Sequence, residues 1–254
     1  MRARGRRRRR RAAPLAMLSG LALATGGLGV LISGGLDPER FAPHSPVAAS
    51  SPSERVPGSV FRPPIPAPSP TPVLSRSVVD EVTEGSGDLK VVKGKSEVYG
   101  SGPLKRFIVE VEDGLPGEAD DFAAAVERIL GDERSWGHEG AMSFQRVDSG
   151  SVDFRVSLAA PTTVDEHCAP LRTNGYVSCQ QGDRAVINQN RWVSAVPHFD
   201  GDLESYRVYV INHEVGHALG HGHVDCPKDG VNAPVMQQQT FGLQGCERNG
   251  WVHP

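Results

Sequence analysis

The segment that most constrains the fold is His213-Glu214-Val215-Gly216-His217-Ala218-Leu219-Gly220-His221-Gly222-His223. It matches H-E-x-x-H-x-x-G-x-x-H at every fixed position, a match expected by chance on the order of once in 10,000 such chains. His213 and His217 are four apart, so on a helix both imidazoles lie on one face and can hold one ion. This demands a helix, expected over 203–219. Glu214 sits one position round and can reach a water at the ion without ligating it. A third ligand must come from another direction. Gly220 lets the chain leave the helix through a left-handed conformation, and His223, three residues on, can return to the ion. A helical His221 would lie about 12 Å along the axis from His213. Ligand nitrogens lie only about 2.0–2.1 Å from zinc, so His221 belongs beside the site or at the surface. The expected site is therefore Zn²⁺ on His213, His217 and His223, with Glu214 as general base. Asp225 is a candidate acceptor for a ligand imidazole; the alternative is a solvated turn carboxylate.

The N-terminal third argues for export. Arg2, Arg4 and Arg6–Arg11 are eight of the 27 basic residues, and no acidic residue precedes Asp37. Ala12–Leu36 is then 25 residues without a charge. A basic segment (1–11) before an apolar one (12–36) reads as a cytoplasmic tail and a transmembrane anchor, or as a signal peptide cleaved near Ala22-Leu23-Ala24. Arg10-Arg11 also permits twin-arginine export. Either way, everything after Leu36 is expected outside the cytoplasm, membrane-held or secreted. The remaining 19 basic residues face 30 acidic ones, and so acidic a body excludes nucleic acid as a partner. Residues 37–74 carry 11 Pro and read as an extended, disordered linker.

The folded domain is expected over 75–254. Leu104–Glu112 alternates as a strand with Phe107, Val109 and Val111 on one face. Glu118–Leu130 is an amphipathic helix with Phe122, Val126, Ile129 and Leu130 on its stripe. Ser143–Val147, Ser151–Ala159 and Arg184–Asn188 read as further strands. The order β-α-β-β-β-α implies an α/β (α+β) layer fold with a mixed sheet packed on the long helix. Cys168, Cys179, Cys226 and Cys246 are even in number and exported, which implies disulfides. Three pairings are possible, and the expected one is sequence-local, Cys168–Cys179 and Cys226–Cys246, which closes loops of about 12 to 21 residues, each worth roughly 3 kcal/mol. A cysteine-ligated zinc competes, but the chain has no C-x-x-C pair.

The extended histidine motif resembles that of the metzincin clan of zinc metallopeptidases. That resemblance implies a zincin-like fold with a methionine-containing turn under the metal. Met236, in Pro234-Val235-Met236-Gln237, fits that turn, and Gln238 stands where some members carry a tyrosine ligand. The phrases VYGSGPLKRFIVEVEDG, CAPLRTNGYVSC, VINQNRW and APVMQQQT are similar to an actinobacterial exported family catalogued as domain of unknown function 3152. Its members are classed by motif as zincin-like peptidases, and the similarity covers roughly residues 90 to 254.

The expected function is an exported zinc endopeptidase acting on a peptide or protein substrate. By resemblance, the substrate would lie along an edge strand near the helix, with Arg184–Asn188 as the candidate strand. Tyr206 and Tyr209 are candidate oxyanion donors, though on a helix such residues more often pack. Two rivals share the motif: a zinc amidase acting on cell-wall peptides, and a non-catalytic, zinc-stapled binding module.

Overall fold

A computed structural model describes residues 69–77 and 79–254. The expected segments 1–11 and 12–36, and nearly all of the linker 37–74, lie outside the described residues. Among the described residues, no helix is long and apolar enough to cross a membrane.

The chain folds as a mixed α/β layer structure. Strands β1 (Leu89–Val91), β2 (Tyr99–Gly100), β3 (Leu104–Glu112), β4 (Ser143–Arg146), β5 (Phe154–Ala159), β6 (Cys179–Gln181) and β7 (Arg184–Asn188) form one sheet in the order β2-β4-β3-β5-β7-β6. The pairs β4–β3, β3–β5 and β5–β7 are parallel; β2, β6 and β1 join antiparallel at the margins. β1 borders the C-terminal half of β3, on residues 110–112, and β4 borders its N-terminal half, on 104–107. Helices are α1 (Ala119–Leu130), α2 (Pro161–Cys168), α3 (Gln189–Ser194) and α4 (Leu203–Ala218).

The side chains expected to face inward on β3 do so. Phe107 and Val109 join Val156 and Leu158 of β5 and Ala185 and Ile187 of β7 in a core closed by α1 and α4. The opposite face of the sheet is covered by α2, with Val164, Cys168, Cys179 and Val186 clustered there. β3 is thus buried on both faces, which alternation alone does not reveal. Glu110, on the α2 side, meets Arg155 at 2.8 Å, Arg184 at 3.0 Å and Ser157 Oγ at 2.8 Å. Glu112 accepts from the Ala160 amide at 2.7 Å and Thr163 Oγ1 at 2.8 Å. Each buried carboxylate is satisfied by partners from other elements.

α4 is buried nearly all round, from Tyr206 to Gly216, so it carries no amphipathic stripe. The Asp202 side chain caps it by accepting from the Ser205 amide at 3.0 Å. Its buried Arg207 donates to the carbonyls of Trp192, Leu74 and Arg76. Burial pushes that guanidinium down to about 10. Asn212 donates to the Gly250 carbonyl at 2.9 Å and accepts from Ser135 Oγ at 2.8 Å. The C-terminal segment therefore closes the side of α4 that the sheet leaves open.

Arg184–Asn188 is interior, paired with β5 on one side and β6 on the other. The edge next to α4 is β6. The expectation that Arg184–Asn188 is the edge strand is corrected: three residues, Cys-Gln-Gln, are too few to show a strand period, and they take the outer place.

Candidate metal centre

α4 ends as its glycine demands. Gly220 has φ of +95°, its amide donates to His217 O at 2.9 Å, and the His221 amide donates to Gly216 O at 2.9 Å. This doubly bonded stop satisfies two terminal carbonyls and turns the chain back over the last helical turn. His223 consequently returns to the histidine pair, with its Nε2 at 2.9 Å from His217 Nε2. One nitrogen from each of His213, His217 and His223 lies within 4.8 Å of the others. Nitrogens arranged tetrahedrally about zinc at ~2.0–2.1 Å would be roughly 3.3–3.4 Å apart. The trio is of the right size, and its all-imidazole donor set suits zinc.

Two imidazoles are locked from behind. His213 Nδ1 is bonded to Val235 O and His217 Nδ1 to His221 O, each at 2.8 Å. A carbonyl can only accept, so each Nδ1 carries the proton and each Nε2 presents its lone pair to the centre. The backbone supplies both acceptors. Asp225 is exposed and has no hydrogen bond to any of the three rings, so the solvated-turn alternative holds. His221 supplies only its carbonyl; its ring is exposed and stacks on Trp136 at 4.3 Å.

Met236 lies buried beneath the helix in a tight turn in which the Gln237 amide donates to Pro234 O at 2.9 Å. Its close approach explains Gly216, the residue before His217. A Cβ there would stand 2.4 Å from Met236 Sδ and 2.6 Å from Trp136 Cζ2. The Val224 amide donates to Met236 O at 3.2 Å, which pins the chain just after His223 onto the same turn. Both expected disulfides are formed, Cys168–Cys179 and Cys226–Cys246, and no cysteine among the described residues is free.

Glu214 is buried and has no hydrogen-bond partner among the described residues. Burial alone pushes its carboxyl up to about 8. Burial likewise drives His213 down to about 3, so that imidazole stays neutral. Neutral imidazoles are the form that ligates a metal. Tyr206 bonds Thr240 Oγ1 at 2.9 Å and Tyr209 donates to Gln237 O at 3.2 Å. Both phenols are raised well above their ordinary range by burial. They are engaged in packing the turn, as the ordinary reading of helix tyrosines has it.

The three histidines and Glu214 open into a cleft of about 360 Å³. Its far walls are the loop closed by Cys168–Cys179, the edge strand β6, and residues 238–241 after the methionine turn. Sequence reasoning missed this wall loop and Trp136. Neither carries a chemical motif; the signals for the loop were its bracketing cysteines and its family-like phrase CAPLRTNGYVSC, and neither of those says that it faces the histidines.

The fold and site thus define a mixed α/β protein with a three-histidine centre on its central helix. The family described as "Protein of unknown function (DUF3152)" matches residues 78–251, and the chain belongs to that family. No curated protein matches the chain.

Proposed function

We propose that this protein is an exported zinc-dependent endopeptidase with a zincin-like fold of the metzincin type. The observation that carries the reading is the convergence of three imidazole nitrogens, two of them held by backbone carbonyls, beside a buried Glu214 with no hydrogen-bond partner among the described residues, in the lining of an open cleft. A metal site that only stapled the fold would have no use for an unpaired carboxylate facing a cleft, since such a group costs stability.

When bound by His213, His217 and His223, zinc would act there as a Lewis acid toward water and a peptide carbonyl. Glu214 is the general base: its carboxylate takes the proton of the attacking water and delivers it to the departing amide nitrogen. A neighbouring divalent cation favours the ionised carboxylate, opposing the burial that raises it in the metal-free chain. An extended peptide would add to the sheet at β6, whose outer edge has no strand partner among the described residues. Residues 12–36 would hold the domain at the membrane or be removed on secretion. The two disulfides agree with an oxidising location.

The test is hydrolysis of an unstructured protein and a diverse peptide library by the full chain supplied with zinc. Glu214→Gln is expected to bind zinc normally and lose turnover by at least about 10²–10⁴-fold, the usual contribution of a general base. His217→Ala is expected to lose both metal and turnover. Equal behaviour of wild type and Glu214→Gln in every assay would make the protein a zinc-stapled binding module instead.

A further inference from the structure

The cleft is not uniformly polar. Leu171 and Phe241 line it from two separate segments and are 54% and 66% exposed. Tyr176, 41% exposed, meets Phe241 at 6.4 Å between ring centroids. Seven large apolar side chains are exposed among the described residues; two of them line this cleft, and Tyr176 stands beside one of the two. Grouped exposed apolar surface marks a binding site where scattered residues do not.

The cleft also has a charge pattern. Arg172 is the only arginine or lysine lining it and, beside the histidines, buried Glu214 and the buried Tyr209 phenol, its one permanent charge; it is exposed, with no ion pair among the described residues. It stands on an otherwise acidic body, which repels acidic ligands elsewhere.

The wall that presents Leu171 and Arg172 is tied down at several points. Cys168–Cys179 closes it. Asp165 accepts from Thr173 Oγ1 and from the Gly175 amide. Asn188 donates to Gly175 O at 3.0 Å, and the Arg191 guanidinium lies 4.8 Å from the Tyr176 ring centroid. A wall held in this way does not spend binding energy on being ordered.

We propose that the cleft selects extended peptides in which a large apolar side chain, taken between Leu171 and Phe241, lies within a few residues of an acidic one, taken by Arg172. The inference rests on the peptidase reading for its setting, but it concerns recognition and can be tested by binding alone. An exposed ion pair is worth about 2- to 5-fold, so reversing the charge of Arg172 should swing the preference by about 10-fold. Truncating one apolar wall should weaken binding of the matching peptides by about 10-fold.

The experiment uses the zinc-loaded full chain carrying Glu214→Gln as bait for a displayed random-peptide library. The expected result is enrichment of Leu, Met, Phe or Tyr with Asp or Glu close by. Adding Arg172→Glu should exchange the acidic preference for Lys and Arg. Adding Phe241→Ala should weaken the apolar preference; the side chain is exposed, and retained zinc binding checks the fold. No enrichment, or one that neither substitution alters, overturns the proposal. Selective binding of peptides that the wild-type chain never cleaves supports the proposal and sinks the peptidase reading alone.

Discussion

Two loops, each closed by a disulfide between cysteines 11 and 20 positions apart, flank the histidine centre, and they differ in more than length. The loop closed by Cys226–Cys246 passes under the site. It carries Met236, whose sulfur packs on Gly216, and Val235, whose carbonyl fixes His213. The side chains it sets beneath the ligands, Val235 and Met236, are buried, and Gln238, Thr240 and Phe241 from it line the cleft. The loop closed by Cys168–Cys179 stands outside, on the α2 side of the sheet, and turns Leu171, Arg172 and Tyr176 to solvent. The same covalent device serves two purposes. Beneath the centre it holds the geometry of ligands; across the cleft it holds a surface that a partner would touch.

The largest expected effect separates the loops directly. Replacing either cysteine pair by serine should cost roughly 3 kcal/mol in chemical denaturation, by the loop-entropy argument. Only Cys226→Ser/Cys246→Ser should also lower zinc affinity in a competition titration, because of the two loops only that one carries a group bonded to a ligand imidazole, the Val235 carbonyl. Equal zinc affinity in both double variants would show that the two loops do not differ in their hold on the metal centre.

Burial gives a second way to sharpen it, through pH. In the metal-free chain Glu214 is raised to about 8 from an ordinary value near 4.5, and His213 is lowered to about 3 from near 6.5. Glu214 makes the folded state the better proton binder between these two values, so its contribution to stability falls as pH rises from about 4.5 to 8. His213 makes the unfolded state the better binder between about 3 and 6.5, so its contribution falls as pH drops through that window. Between pH 4.5 and 6.5 the two oppose; from about 6.5 to 8 Glu214 acts alone. Stability of the metal-free chain should fall by on the order of 2 kcal/mol across that upper window. Glu214→Gln should show no such fall. A decline of equal size in the variant would mean that burial of Glu214 is not its source.

The smallest effect on stability is expected at Gly216, and it is the most specific to the inner loop. Gly216→Ala gains about 1 kcal/mol of helix propensity. It also drives a methyl group into Met236 and Trp136, at a typical cost of 1–3 kcal/mol. The melting temperature should therefore move little, while zinc affinity falls as the floor is displaced. Unchanged affinity with a raised melting temperature would show that Met236 can move aside freely.

Much of the inner region was legible in the chain. The four-residue spacing of His213 and His217, the stop at Gly220, the return of His223 and the exclusion of His221 follow from helix geometry and the conformational freedom of glycine, which act over one or two turns. The β3 and α1 periodicities were read for the same reason. The second-sphere acceptors were not legible: Asp225 had the right chemistry, but the carbonyls of Val235 and His221 hold the imidazoles, and every residue has a carbonyl.

The outer region depended on partners far apart in sequence. Arg184–Asn188 reads as a good strand wherever it lies, and only its pairing with the three residues of β6 makes it interior. Glu110 and Glu112 alternate with valines as a solvent-facing row would, yet α2 and two arginines from other strands cover them. The wall loop 168–179 has no periodicity at all; the two cysteines mark its ends, and its side chains become a wall because α4 and residues 238–241 lie across from it. By itself the sequence determined which residues can form helix, turn and histidine trio, since those are set by local spacing and intrinsic backbone preference. Which strand is the edge, which carboxylates are buried and what faces the trio across the cleft were decided by long-range pairing, which only the tertiary structure contains.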